Sequence, residues 1–112
     1  PRTVAAFYAV AREDFVAPAR RSLAYVDAAQ PLSGGRELMA PLSLGLLIEE
    51  AAVRPGERVL VVGAGTGYSA AILAEMGARV TALESDAGLA AAARGAVGGI
   101  ADVEVVEGPL EG

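Results

Sequence analysis

The sequence predicts an α/β fold: the βαβαβ half of a doubly wound parallel sheet, preceded by an N-terminal helical segment. Three observations lead to this prediction. A continuous apolar run at residues 58–62 leads directly into a glycine-rich turn, and two further strand-like runs follow at residues 79–83 and 103–106. A helical stretch rich in alanine and leucine separates each pair of runs. Such an alternation is typical of a parallel sheet, and right-handed crossovers predict the strand order 3-2-1.

The first part of the chain, residues 1–53, is predicted to be a helical and substrate-loop segment. Helices are expected over residues 4–11 and 41–52, where apolar side chains recur at helical spacing, and over residues 17–25, a stretch that is rich in arginine and interrupted by Pro18. Residues 27–35 contain proline, serine and two glycines, which is typical of a loop. A proline and a glycine soon after residue 53 end the last helix.

The second part, residues 54–112, is predicted to be the cofactor-binding core of a single domain that spans residues 1–112. Its first strand, RVLVV, has no polar interior position, which predicts a strand buried on both faces of a parallel sheet. Helices are expected over residues 68–76 and 87–96, the second capped by Asp86. Since the chain ends soon after the third strand, we expect a longer parent protein, or a homo-oligomer formed through the open sheet edge.

Composition excludes several kinds of site and partner. The 112 residues carry a net charge of -5 and no basic cluster, so nucleic acid is not expected as a partner. The chain has no cysteine and no histidine, which excludes thiolate nucleophiles, imidazole bases and the usual zinc ligands; no metal is predicted. The longest apolar stretch is interrupted by Glu49 and Glu50 and is too short to span a membrane. The absence of cysteine fits a cytoplasmic protein.

The turn after the first strand is the strongest sign of a ligand site. It consists of Gly63, Ala64, Gly65, Thr66 and Gly67. Glycine permits positive φ and lets a ligand lie against bare backbone, while the helix that follows directs free N–H groups towards that ligand. Gly-x-Gly-x-Gly is the spacing of methyltransferases, whereas dinucleotide folds prefer Gly-x-Gly-x-x-Gly. Flavoproteins carry similar turns, and a tight turn without a ligand is the other interpretation.

A carboxylate at the end of the second strand is the second sign. Glu84 follows Gly63 by 21 positions, close to the distance at which nucleotide folds place the acid that binds ribose hydroxyls. A carboxylate can accept two hydroxyl hydrogen bonds at once. Ser85 is a further candidate contact, and a solvated surface glutamate is the alternative.

The segment before the first strand resembles a known family. Residues 12–18 read REDFVAP and residues 21–27 read RSLAYVD. Together they resemble the N-terminal segment of protein L-isoaspartyl O-methyltransferases, in which an R-E-x-F-V-P run precedes an A-Y-x-D run. Residues 35–41, GRELMAP, lie where that family has its substrate loop. The resemblance covers nearly the whole chain and identifies it as the N-terminal half of a class I methyltransferase.

This resemblance implies S-adenosylmethionine as methyl donor, S-adenosylhomocysteine as product and an isoaspartyl-containing protein or peptide as acceptor. The implied reaction, a step in protein repair, esterifies a carboxylate that is already ionised at pH 7, so it needs positioning more than a general base. No catalytic residue is assigned. The implied cofactor contacts lie in the turn, at the second strand end and beside the adenine: Gly63, Ala64, Gly65, Thr66, Gly67, Glu84, Ser85, Glu107 and Gly108.

The chain differs from the family pattern in three places. The loop reads Glu37-Leu38-Met39 where the family has Thr-Ile-Ser. Val61 replaces an acid before the glycine turn, and Pro109 replaces an aspartate after the third strand. These differences leave open an inactive cofactor-binding or association module as an alternative function. A fragment of an NAD- or FAD-binding oxidoreductase is a less favoured one.

Overall fold

A computed structural model describes residues 2–111 of the chain. The α-helices are α1 (Arg2–Ala9), α2 (Pro41–Ala51), α3 (Tyr68–Glu75) and α4 (Ala87–Val97). The strands are β1 (Gln30–Pro31), β2 (Glu37–Leu38), β3 (Arg58–Val62), β4 (Arg79–Glu84) and β5 (Val103–Glu107). Three 3₁₀ turns cover Arg12–Asp14, Pro18–Leu23 and Ser33–Gly35.

The sheet of the second half is parallel and has β4 in its centre. Its register places Val61 beside Ala82 and Ala82 beside Val105. One face of this sheet packs in the core with the buried side chains of α3 and α4, such as Ile72 and Val97. The α/β class and the βαβαβ unit predicted from the sequence are therefore confirmed, with α3 and α4 as the two connections.

The first strand of this unit differs from the prediction that both of its faces are buried. Val59 and Val61 pack against the core, but Leu60 and Val62 are 60% and 54% exposed. Successive side chains of a strand point to opposite faces of the sheet. Because the helices of the described residues pack on one face, the alternate residues of β3 face solvent together with Val106 of β5.

The N-terminal segment differs from the prediction in two places. The expected helix over residues 17–25 is a 3₁₀ turn, Pro18–Leu23, and the expected loop over residues 27–35 contains β1, which pairs antiparallel with β2. Buried Gln30 explains both, since its side-chain amide donates to the Leu23 carbonyl and accepts from Arg20 Nε. These tertiary hydrogen bonds, between residues 10 and 7 positions apart, override local helix propensity. We call residues 30–38 the β1–β2 hairpin.

The ends of the other helices lie close to their predicted positions. Helix α1 begins at Arg2 and ends at Ala9 rather than covering residues 4–11. The α4 cap is confirmed, since Asp86 Oδ1 accepts a hydrogen bond from the Leu89 amide at 2.9 Å. No helix within residues 2–111 is both long enough and apolar enough to cross a membrane. In the same part of the chain, no three histidine, cysteine or acidic residues are grouped so that they could hold a metal ion.

Candidate functional site

The turn between β3 and α3 is a tight corner whose backbone lies against the end of β4. The amides of Gly63 and Ala64 donate to the Leu83 carbonyl at 2.9 and 3.0 Å. Gly67 has a φ of +92°, and a Cβ there would lie 3.2 Å from Val97 Cγ1 of α4. Glycine at position 67 therefore allows both the left-handed backbone and the close approach of the two helices.

Glu84, the last residue of β4, points into this corner. The residue is fully buried, and its carboxylate accepts four hydrogen bonds. The Gly65 amide donates to Oε1 at 2.7 Å and the Asp86 amide donates to Oε2 at 2.8 Å. The side chain of the residue predicted to bind ribose is thus attached directly to the glycine turn.

The other two donors to Glu84 come from Arg36 in the β1–β2 hairpin. Arg36 Nη2 donates to Oε1 and Nη1 donates to Oε2, each at 2.8 Å, in a bidentate ion pair. Burial raises the pKa of Glu84, but the hydrogen bonds from Arg36, Asp86 and Gly65 outweigh burial and lower this pKa from 4.5 to about 2. The same pair raises the pKa of Arg36. Glu84 is therefore ionised throughout the physiological pH range.

The predicted contacts beyond Glu84 lie along the same edge of the sheet. Glu107 is the register partner of Glu84 on β5 and is partly exposed. The next amide, that of Gly108, donates to the Glu84 carbonyl at 3.0 Å. Ser85 is exposed at the start of the turn into α4. The carboxyl ends of β3, β4 and β5 therefore bring a glycine turn, a buried acid and a partly exposed acid to one side of the molecule, where parallel α/β sheets bind ligands.

The family model for protein-L-isoaspartate(D-aspartate) O-methyltransferase matches residues 1–108. The chain belongs to this methyltransferase family. It is 53% identical over 85 residues to a protein-L-isoaspartate O-methyltransferase of Methylorubrum populi. The aligned residues cover 76% of this chain and 40% of the relative. The chain spans less than half the length of the curated relatives that it matches first. For two further relatives, the match covers 39% and 45% of their length.

Solved structures agree with the family assignment. The structure of a protein-L-isoaspartate O-methyltransferase superposes with a TM-score of 0.81 and 28% identity; the match covers 96% of this chain and 37% of the other. A methyltransferase of Geobacter sulfurreducens, described as dependent on S-adenosylmethionine and solved in complex with S-adenosyl-L-homocysteine, superposes with a TM-score of 0.55 and 29% identity. The match covers 62% of this chain and 29% of the Geobacter chain.

Residues 37–39, which correspond to the Thr-Ile-Ser of the family's substrate loop, form β2 and the residue after it. Glu37 is exposed, Leu38 is buried and Met39 is 41% exposed. The Met39 carbonyl accepts a hydrogen bond at 3.0 Å from Arg12, a fully buried arginine. Arg12 also lies over the Tyr68 ring at 4.9 Å, so it joins the loop to the start of α3. The sequence gives no local signal for this role, because the residues involved lie far apart in the chain.

Two of the predicted cofactor contacts have side chains that face the protein interior. Thr66 is buried, and its hydroxyl donates to the Phe15 carbonyl at 2.6 Å. Ala64 is also buried in the core. At these two positions only backbone atoms are left to contact a ligand, and the Thr66 side chain instead attaches the turn to the N-terminal segment. Arg36, for which no sequence motif predicts a site role, is by contrast in direct contact with Glu84.

The molecule also has a large groove that is separate from this corner. Its volume is about 750 Å³, and it lies between α1 and α2, with Phe7, Leu42 and Leu46 among its lining residues. None of the lining residues belongs to the glycine turn or to the end of β4. The groove is lined mainly by apolar surface, although Arg12 and Glu49 also line it, whereas the corner holds a buried ion pair and its hydrogen-bond donors. We therefore assign the candidate site to the corner.

Proposed function

We propose that the full-length protein is an S-adenosylmethionine-dependent protein-L-isoaspartate O-methyltransferase. Residues 54–112 contribute its cofactor-binding part, and residues 1–53 contribute the segment with the substrate loop. The observation that carries the proposal is the buried Glu84 carboxylate, which accepts from the Gly65 amide at the glycine turn.

The chemistry of the corner suits the sugar of a nucleoside. A ribose presents two neighbouring hydroxyl donors, and an ionised carboxylate presents two acceptor oxygens at matching separation. With a pKa of about 2, Glu84 is in the accepting form at any pH at which the cell operates. The backbone of Gly63, Gly65 and Gly67 would lie along the methionine and ribose part of the cofactor. Glu107, Gly108 and Ser85 would lie beside the adenine.

Methyl transfer to a carboxylate makes few demands on acid–base groups. The acceptor is ionised at neutral pH and attacks the sulfonium methyl directly, so orientation supplies most of the rate acceleration. A chain without histidine is compatible with such a reaction. The relatives are named protein-L-isoaspartate O-methyltransferases, which supports an isoaspartyl acceptor. The lack of cysteine supports action in the cytoplasm.

The other candidate functions are less well supported. An inactive binding or association module would account for Glu37, Met39 and the exposed face of β3, but family membership over residues 1–108 does not favour it. An oxidoreductase fragment would not carry the leader at residues 12–27. We therefore retain the methyltransferase as the proposed function.

Two measurements on the full-length protein test this function. Calorimetric titration should give binding of S-adenosylhomocysteine and none of NAD. Glu84→Gln should weaken that binding at least tenfold, because one ribose hydroxyl would then face an amide donor. Glu75→Gln, at an exposed position on α3, is the charge-matched control. Equal binding of S-adenosylhomocysteine by both variants would contradict the assigned role of Glu84.

The second measurement is transfer of a labelled methyl group to a peptide containing one isoaspartate. The same peptide with ordinary aspartate is the control. Label in the isoaspartyl peptide alone is the expected result. Cofactor binding without transfer to either peptide would favour the inactive binding module.

A further inference from the structure

We propose that the β1–β2 hairpin sets the affinity for the cofactor, because Arg36 occupies the ribose position on Glu84 and must leave before the sugar can bind. The proposal rests on the proposed function, in which Glu84 holds the ribose. It adds a residue of the substrate-loop segment that competes with the cofactor for the same two oxygens.

The first argument is the hydrogen-bond capacity of Glu84. A carboxylate has about four lone-pair positions, and each Glu84 oxygen already accepts two hydrogen bonds. Two of the donors are backbone amides, at Gly65 and Asp86, which the turn and the helix cap hold in place. The other two belong to the guanidinium of Arg36, whose side chain is 31% exposed. The guanidinium is therefore the donor group that can withdraw.

The second argument is the space above the glycine turn. A Cβ built on Gly63 would lie 3.2 Å from Arg36 Nη2, and one built on Gly65 would lie 3.4 Å from Leu32 Cδ1. The absence of side chains at these positions leaves backbone exposed for a ligand, yet two hairpin side chains lie against it. The hairpin and a cofactor placed along this backbone cannot occupy the corner together.

The third argument is that the side chains at the end of the hairpin are less buried than those at its base. Strands β1 and β2 contain two residue pairs, and the loop between them closes with a hydrogen bond from the Leu32 amide to the Arg36 carbonyl at 2.8 Å. The base is firmer, because Gln30 and Leu38 are buried. Leu32 and Arg36 are only partly buried, so their side chains can withdraw from the corner while the base of the hairpin stays in place.

This arrangement has a quantitative consequence. When the binding-competent state is a fraction of the population, the apparent dissociation constant equals the intrinsic constant divided by that fraction. Removing the guanidinium increases the fraction in which Glu84 is free to accept hydroxyl groups. We expect Arg36→Met to bind S-adenosylhomocysteine about tenfold more tightly than the unmodified protein.

Calorimetric titration of the full-length protein with S-adenosylhomocysteine tests this. Arg54→Met, which removes an exposed arginine after α2, is the charge-matched control and should bind like the unmodified protein. Because loss of Arg36 leaves a buried charge with fewer donors, Leu32→Ala is a second variant that keeps the ion pair. It should also tighten binding, by a smaller factor. Equal or weaker binding by both Arg36→Met and Leu32→Ala would overturn the proposal while leaving the proposed function intact.

Hydrogen exchange gives an independent readout. Adding S-adenosylhomocysteine to the unmodified protein should speed amide exchange at Leu32 and Arg36 and slow it at Gly65. Slower exchange at the hairpin amides would mean that the hairpin closes over the cofactor and would overturn the proposal. If no form of the protein binds the ligand, the proposed function fails together with the inference. If only Arg36→Met binds it, both are supported.

Discussion

Replacement of Glu84 by glutamine should lower the free energy of unfolding by about 3 kcal/mol at pH 7. The magnitude follows from the pKa of Glu84, which falls from 4.5 to about 2 on folding. Each pKa unit corresponds to about 1.4 kcal/mol of preference for the ionised form, so the shift corresponds to about 3 kcal/mol. The source of this stabilisation is the four hydrogen bonds from Arg36, Gly65 and Asp86.

The pH dependence provides a sharper version of this prediction. Because the folded pKa of Glu84 is depressed, its contribution is complete above pH 4.5 and is lost as the pH falls towards 2. At pH 3 about 2 kcal/mol of the contribution should already be lost. Urea unfolding of the full-length protein and of Glu84→Gln should therefore give a large difference at pH 7 and a much smaller one at pH 3. Glu75→Gln, at an exposed position, should follow the unmodified protein at both pH values.

Two results would refute the reasoning. A loss of less than about 1 kcal/mol at pH 7 would mean that the donors do not offset the desolvation of a buried charge. A difference between Glu84→Gln and the unmodified protein that is equally large at pH 3 would mean that the loss comes from packing. In that case the ionised state of Glu84 would not contribute to stability.

Two further predictions concern the glycine turn. Gly67→Ala should destabilise the protein by about 1–3 kcal/mol more than Gly56→Ala. Both residues have positive φ, but only a Cβ at position 67 would meet another helix. Equal effects of the two substitutions in thermal unfolding would refute the packing argument. Thr66→Val should cost about 1–3 kcal/mol, because the Phe15 carbonyl loses a buried donor. Thr81→Val, at a partly exposed position of β4, should cost much less, and equal losses in urea unfolding would count against the hydrogen bond.

The amino-acid sequence by itself determines the βαβαβ unit, the glycine turn and the position of Glu84. Local spacing is sufficient for these features. Two helical stretches separate the strand at residues 58–62 from the two later strands. An acid that ends the second strand must lie at the same sheet edge as the turn after the first strand. The leader at residues 12–27 also identifies the family, because motifs in a defined order do not depend on long-range contacts.

Only the tertiary structure decides which groups surround these features. Arg36 and Glu84 are 48 positions apart, and no periodic pattern indicates that they form a bidentate pair. The exposure of Leu60 depends on which sheet face the helices cover, and RVLVV reads the same in either case. Thr66 lies in the turn, but its hydroxyl bonds to Phe15, 51 positions away. Local pattern sets the conformation of the backbone, whereas the environment of each side chain depends on segments that are distant in the sequence and that packing brings together.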